Sequence, residues 1–249
     1  MDFIELHRSN GIATLVLRRG KVNALNGTVV DQLRRMLKGL EGDPEAKSIV
    51  LTGVGKFFSF GFDIPEFLSF TKEQFTEYLT NFTDLYTYVF LYPKPVVAAV
   101  NGHAIAGGCM LALACDYRAM VSGKAKISLN EIGFGSSVFA GATEMLRFWV
   151  GGAHATAVLF SGAMYRAEEA KSMGLVQEVT TEGALMDIAR KVASDFASKS
   201  PPAFASIKAL LRRSIVEEMR GREREAIKEF VDIWYSEATW ANLRNIKIY

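Results

Sequence analysis

Three short stretches of the chain carry residues whose types and spacing could do chemistry. Lys56-Phe57-Phe58-Ser59-Phe60-Gly61-Phe62-Asp63-Ile64 is an aromatic-rich loop with one glycine and one acid. Ala104-Ile105-Ala106-Gly107-Gly108-Cys109-Met110 sets two adjacent glycines between an apolar run and a segment of helical character. Ser128-Leu129-Asn130-Glu131-Ile132-Gly133-Phe134-Gly135 puts one carboxylate at the end of an apolar strand. A glycine pair lets another molecule approach the backbone closely. The first N–H groups of a following helix have no intrahelical partner, which suits them to a developing negative charge. A carboxylate among Ile127, Leu129, Ile132 and Phe134 is expected to be desolvated and raised in pKa, as suits a base working near neutrality.

Each stretch also has a plainer reading. Gly107-Gly108 fits a tight strand-to-helix turn packed on a neighbour. Asp63 opens an Asp-x-x-Glu run through Glu66 with Pro65 in the first turn, so it fits a helix cap. Glu131 fits an exposed loop carboxylate.

Other machinery is excluded. Gly53-Val54-Gly55 follows a strand, but Phe58 stands where a dinucleotide fingerprint needs its third glycine. There is no Walker-type GK[ST], and Ser59 and Ser137 lack the glycine pair of a nucleophile elbow. His7, His103 and His154 do not cluster, and Cys109 and Cys115 form no CxxC, so no metal site or disulfide framework is expected. A net charge of +2 over 249 residues makes no case for nucleic acid or an anionic membrane as partner. Lys208, Arg212, Arg213, Arg220, Arg222 and Arg224 are interleaved with acids and read as a solvated helix face. MDFIELHRSN is too short and too acidic for a signal or transit segment, and no apolar run is long enough to span a bilayer, so a soluble cytoplasmic protein is expected.

The elements that must position these stretches follow from periodicity. Phe3 to His7 and Ile12 to Leu17 read as a hairpin around Ser9-Asn10-Gly11. Helical spacing runs from Thr28 to Leu40 and from Phe75 to Leu91, stopped by Gly42-Asp43-Pro44 and Pro93-Lys94-Pro95. Ser48 to Thr52, Pro95 to Val100, Tyr117 to Val121, Ala125 to Leu129 and Leu175 to Val179 read as strands. Helices are expected over Thr143 to Trp149, Ala153 to Phe160 and Ala167 to Met173, and from Gly183 onward with a break at Pro201-Pro202. Strands and helices alternate, then helices continue alone, which points to an α/β core with a helical C-terminal part.

Taken together, these segments resemble the crotonase (enoyl-CoA hydratase/isomerase) superfamily over nearly the whole chain. Lys21-Val22-Asn23-Ala24-Leu25-Asn26 resembles the family's N-A-L-N segment, Phe58 to Ile64 its F-S-x-G-x-D-[IL], and Asn101 to Gly108 its N-G-x-A-x-G-G. Ala167-Glu168-Glu169-Ala170 through Gly174-Leu175-Val176 resembles its A-x-E-A-x-x-x-G-L-V. The resemblance implies a spiral of β-β-α turns over residues 1–198, followed by a helical trimerisation subdomain over 199–249. It also implies homotrimers or homohexamers that act on acyl-CoA thioesters. No cofactor is expected, since coenzyme A belongs to the substrate. Lys21, Ala24, Leu25, Phe60, Gly61, Phe62, Asp63, Ile64 and Gly107 are the residues that the resemblance implies at the acyl-CoA substrate, with the backbone of the Lys21 to Asn26 segment at coenzyme A. The oxyanion hole, carried over by position, falls on the N–H groups of Phe60 and Gly107.

Hydratases of the family carry one glutamate directly after the glycine-glycine-cysteine and a second downstream. Here the first position is Met110 and the second is Glu131. Leu129-Asn130-Glu131, Cys115-Asp116-Tyr117-Arg118 and the Gly55 to Ser59 run resemble the Δ3,Δ2-enoyl-CoA isomerases more than the hydratases. One carboxylate is enough to move a proton from C2 to C4, whereas hydration shares its work between two. The expected activity is therefore isomerisation. Another single-base reaction on a CoA thioester, or a non-catalytic acyl-CoA-binding homologue, stands as the alternative. Phe60 and Phe62 are bulkier than the small residues often found in this loop, and Phe139, Ala142 and Glu144 depart from the hydratases' glycine-rich run.

Overall fold

A computed structural model describes residues 2–246. The chain opens with a hairpin of β1 (Ile4–Ser9) and β2 (Ile12–Leu17). Asn10 and Gly11 close it, both at positive φ (50° and 77°), the mirror-image turn that matches strand twist. Helix α1 (Gly27–Glu41) follows, and the Asn26 side chain caps it by accepting from the Val29 N–H at 3.1 Å.

Three strand–strand–helix turns come next. The first holds β3 (Ser48–Gly53), β4 (Phe57–Ser59), the short α2 (Ile64–Phe67) and α3 (Lys72–Phe90). The second holds β5 (Val96–Val100), β6 (His103–Ile105) and α4 (Gly107–Ala114). The third holds β7 (Tyr117–Val121), β8 (Lys126–Ser128), a 3₁₀ turn over Glu131–Phe134 and α5 (Ala140–Ser161). The remainder is β9 (Tyr165–Arg166), α6 (Ala167–Met173), β10 (Glu178–Thr180), α7 (Leu185–Ala197), α8 (Pro201–Trp234) and α9 (Glu237–Leu243).

Each turn sends its first strand to one sheet and its second to another. The larger sheet has the order β1-β2-β3-β5-β7-β10, parallel except at β1, and the smaller has β4-β6-β8-β9, parallel except at β9. This is the expected spiral of β-β-α turns. Because β4, β6 and β8 pair side by side and run the same way, their C-terminal ends lie together. The three stretches singled out in the sequence run through those ends, where parallel α/β sheets place their ligands.

Two expectations are corrected. The strand expected over Leu175 to Val179 forms only at Glu178–Thr180. Gly174, at φ 87°, ends α6, and the N–H groups of Leu175 and Val176 return to the Ala170 carbonyl, so both residues plug the core instead of extending. Lys208 and Arg212 do not sit on a solvated face. Both are buried and within 2.8 Å of one oxygen of Asp116, whose other oxygen accepts the Val96 N–H. Of the apolar residues in α8, Ile227, Phe230 and Trp234 are buried within the chain, whereas Ile207, Leu210 and Leu211 are exposed. Among the described residues no helix is long and apolar enough to cross a membrane.

Candidate active site

The loop after β4 is zipped to residues 19–26. Phe60 N–H donates to the Val22 carbonyl at 2.9 Å, Leu25 N–H to the Gly61 carbonyl at 2.7 Å, and Ser59 Oγ to the Asn23 carbonyl at 2.8 Å. Asn23 makes this possible from a positive φ, with its side-chain amide donating to Val54 and Phe57 carbonyls. Asp63 takes the plainer role: it caps α2 by accepting the Glu66 N–H and pairs with Arg19 at 2.5 Å. Lys21 is exposed on this zipped segment, and Ala24 and Leu25 are buried in it.

The donor assigned to Phe60 from the sequence is a correction. Its N–H is already held by Val22, so it is not free to meet a ligand. The free amide lies two residues on. Asp63 and Leu25 take up the zipper on either side of Phe62, whose own N–H has no acceptor among the described residues. Gly107 N–H, at the start of α4, likewise has none. The two loops abut at this point: a Cβ built on Gly61 would lie 2.9 Å from the Gly107 nitrogen.

The two readings of the glycine pair divide between its members. Gly108 is there for packing, since a Cβ would lie 2.3 Å from the Ser59 carbonyl oxygen. Gly107 supplies the unengaged amide. Ala106, at φ 49° and ψ −119°, turns the chain from β6 into α4 through a conformation that costs a non-glycine residue about 1–3 kcal/mol. Backbone strain of this kind concentrates where the chain must present a group at a fixed angle.

Glu131 opens the 3₁₀ turn after β8 and is buried, not an exposed loop carboxylate. Burial pushes its carboxyl up to about 8, and its Oε2 has no partner among the described residues. Glu131, Phe60, Phe62 and Ile64 line one cavity of about 200 Å³, together with Ala106 from the glycine turn. Trp234 and Phe230 from α8 close it. Lys21, Ala24, Leu25, Gly61, Asp63 and Gly107 are not on its wall. Met110, the residue after Gly-Gly-Cys, is packed in the core with 1% of its surface exposed.

A proton acceptor near neutrality on the wall of an apolar chamber, with unengaged amides at Phe62, which lines it, and at Gly107, next in the chain to the lining Ala106, suits proton transfer next to a polarised carbonyl. Nothing in the sequence placed Trp234 and Phe230 at this chamber. Their helical spacing marked them as apolar-face residues, but nothing local indicates which surface that face covers.

The family model described as enoyl-CoA hydratase/isomerase matches residues 7–236. A probable enoyl-CoA hydratase of Bacillus subtilis is 32% identical, covering 95% of this chain and 92% of its own length. The structure of an enoyl-CoA isomerase from Mycobacterium tuberculosis superposes with a TM-score of 0.81 at 26% identity, over 93% of this chain and 96% of that one. The human mitochondrial Δ3-Δ2-enoyl-CoA isomerase shares the fold with a TM-score of 0.93 over 98% of this chain and 96% of its own, at 23% identity. The chain belongs to the enoyl-CoA hydratase/isomerase family, and it is an enzyme of that family by fold and by sequence alike.

Proposed function

We propose that the chain is a Δ3,Δ2-enoyl-CoA isomerase that moves a C3–C4 double bond of an acyl-CoA thioester to C2–C3. One observation carries this reading. Among the described residues lining the cavity, Glu131 is the single ionisable side chain. The B. subtilis relative carries a hydratase name, but here the second carboxylate that hydration needs is replaced by the buried thioether of Met110.

In this reading the Glu131 carboxylate removes a proton from C2, and the electron pair moves onto the thioester oxygen. The N–H groups of Phe62 and Gly107 hold that oxygen, each donor of such a pair being worth roughly 10²–10³ in rate. The dienolate then takes the same proton back at C4. Electrons and protons balance within the substrate, so no cofactor is required beyond the coenzyme A that the substrate carries. The zipped loops at Lys21, Ala24 and Leu25 are the proposed contacts for coenzyme A, and Ile207, Leu210 and Leu211 the proposed contacts of a homotrimer.

The test is incubation with 3-enoyl-CoA thioesters, followed at the absorbance of the conjugated product, beside crotonyl-CoA in water. Isomerisation with negligible hydration is expected. In a single turnover, substrate deuterated at C2 should carry some label to C4, because one carboxylate takes and returns it. Robust hydration of crotonyl-CoA would overturn the single-base reading.

A further inference from the structure

The chamber beside Glu131 is short and closed at one end. It holds about 200 Å³, against the roughly 150 Å³ of an engineered apolar cavity that takes up benzene. On that scale there is room for on the order of eight carbon-sized atoms. A hexanoyl thioester fills that count with its carbons, the carbonyl oxygen and the sulfur. Access is over Phe60, Ala106 and Phe134, which are half-buried. Phe230 and Trp234 also lie on the wall, but each is 1% exposed, so this end is sealed from solvent.

What stands behind the sealed end has little room to yield. The Phe230 ring packs on Phe139, at the start of α5, with centroids 4.5 Å apart, and on Phe75 of α3 at 6.2 Å. It also stacks on Trp234 at 5.7 Å, and Trp234 packs on the same Phe75 at 4.7 Å. Phe75 and Phe139 are fully buried. Interiors packed this closely hold few voids, so a tail that reaches Phe230 finds no second layer of space. The flank is closed in the same way, since the Phe62 ring meets Phe82 at 5.0 Å and Tyr78 at 5.3 Å. Phe230 meets Phe75 and Phe139 at once, and so joins the end wall to α3 and to the start of α5.

We propose that this chamber is an acyl subsite for chains of about six carbons or fewer, and that Phe230 sets the limit. The inference rests on the acyl-CoA reading given above and names its substrate class, a short-chain 3-enoyl thioester with an uncharged tail. Glu131 and the Ala106-Gly107 turn meet the thioester and its first carbons, and the rest of the chain runs toward α8. No Lys or Arg lines the wall, so a charge at the end of the tail would lose its hydration without compensation. Truncating Phe230 to alanine takes one phenyl ring out of the end wall. The space left is of the size that accepts benzene, enough for a chain about two to four carbons longer.

The experiment measures binding by calorimetry with saturated thioesters, which have no double bond to move. Butanoyl-, hexanoyl-, octanoyl-, decanoyl- and dodecanoyl-CoA are compared on the intact protein. From butanoyl to hexanoyl, affinity should rise about 10-fold as two methylenes leave water for apolar wall. From hexanoyl to decanoyl it should fall about 10-fold or more, because the extra carbons overpack a closed end. In Phe230→Ala the optimum should move to octanoyl or decanoyl, and Phe230→Leu should shift it less in the same direction. Phe230→Leu decides the matter if the alanine variant does not fold. Ile227→Ala, one turn away on α8 and lining the outer groove against α3 instead of the chamber, should lose stability but keep the wild-type profile. A wild-type affinity that stays level or rises beyond hexanoyl, the result if the tail leaves by the mouth, overturns the proposal. So does an optimum that stays at hexanoyl in the folded Phe230 variants. A length limit without isomerase activity would sink the proposed reaction and leave this inference standing. Isomerase activity without the limit would do the reverse.

Discussion

Thr239 of α9 donates its hydroxyl to the Gly135 carbonyl at 2.6 Å, so the last described helix holds the turn that carries Glu131. Asn242 adds a second tie, from Nδ2 to the Phe134 carbonyl at 3.2 Å. The base is therefore aimed by residues more than a hundred positions away in sequence.

Thr239→Val keeps the volume of the side chain and removes the donor. The stability loss should be about 1 kcal/mol, the usual net worth of one such bond. The informative readout is kinetic: kcat should fall severalfold with KM little changed, because the tie orients the base and not the thioester. A variant that raises KM alone would show that α9 serves binding and not the base.

Glu131→Gln preserves size and hydrogen bonding while removing the proton acceptor. Turnover should drop by roughly 10²–10⁴-fold, with acyl-CoA binding nearly intact. In the wild-type enzyme the active form is the carboxylate, so kcat/KM should rise with pH and reach half its plateau near about 8. A rate that is flat between pH 6 and 9 would place the base elsewhere.

The same shift ties Glu131 to stability. Its folded pKa, about 8, lies above the ordinary value of 4.5, so the folded chain keeps a proton that the unfolded chain has lost. The stability it contributes is present below about 4.5 and is lost as pH rises through about 8, on the order of a few kcal/mol in all. Thermal unfolding of Glu131→Gln should therefore improve on the wild type progressively from pH 5 to pH 8.5. No pH dependence in the difference would mean that the carboxyl is better solvated than its burial implies.

Gly108→Ala should be damaging and Gly39→Ala benign. A Cβ at 108 meets backbone at 2.3 Å, so the start of α4 must lift away from Ser59. The cost should be about 1–3 kcal/mol or more. Turnover should fall with it as the Gly107 amide moves. A Cβ at Gly39 meets nothing within 4 Å on α1 and should stabilise the helix by about 0.5–1 kcal/mol. Chemical denaturation of the two variants separates these outcomes.

Light scattering at micromolar concentration should give three copies, or six. Leu210 is 80% exposed, and Ile207 and Leu211 are each 58% exposed on the same helix. Leu210→Glu should shift the population toward monomer. A wild-type monomer would remove the assembly from the proposal.

What the sequence disclosed was local. Helical spacing from Val29 to Leu40 and the turn residues Asn10-Gly11 need no distant partner, and they located α1 and the first hairpin. The break between the two helices expected around residue 151 is also there, as Gly151 at φ 72° and ψ 169° within α5. The desolvation of Glu131 was legible in its apolar neighbours. What stayed hidden depends on contacts across the chain. The Phe60 amide is engaged only because Asn23, in its left-handed conformation, lets the Val22 carbonyl face it. Lys208 and Arg212 look solvated until Asp116 is found 92 and 96 positions earlier. Strands of two or three residues such as β9 and β4 carry too few side chains for a period to register.

The Asp116 anchor also sets an order of events. Synthesis delivers the N-terminal residues first, so the spiral, with Glu131 and the Gly107 amide, emerges before α8 exists. Lys208 and Arg212 dock α8 on Asp116, and the same helix brings Phe230 and Trp234 to roof the chamber. Until α8 and α9 follow, the turn that bears Glu131 lacks its ties to Thr239 and Asn242, and the chamber lacks its roof. Aim and enclosure of the base both come from the helices that follow the spiral.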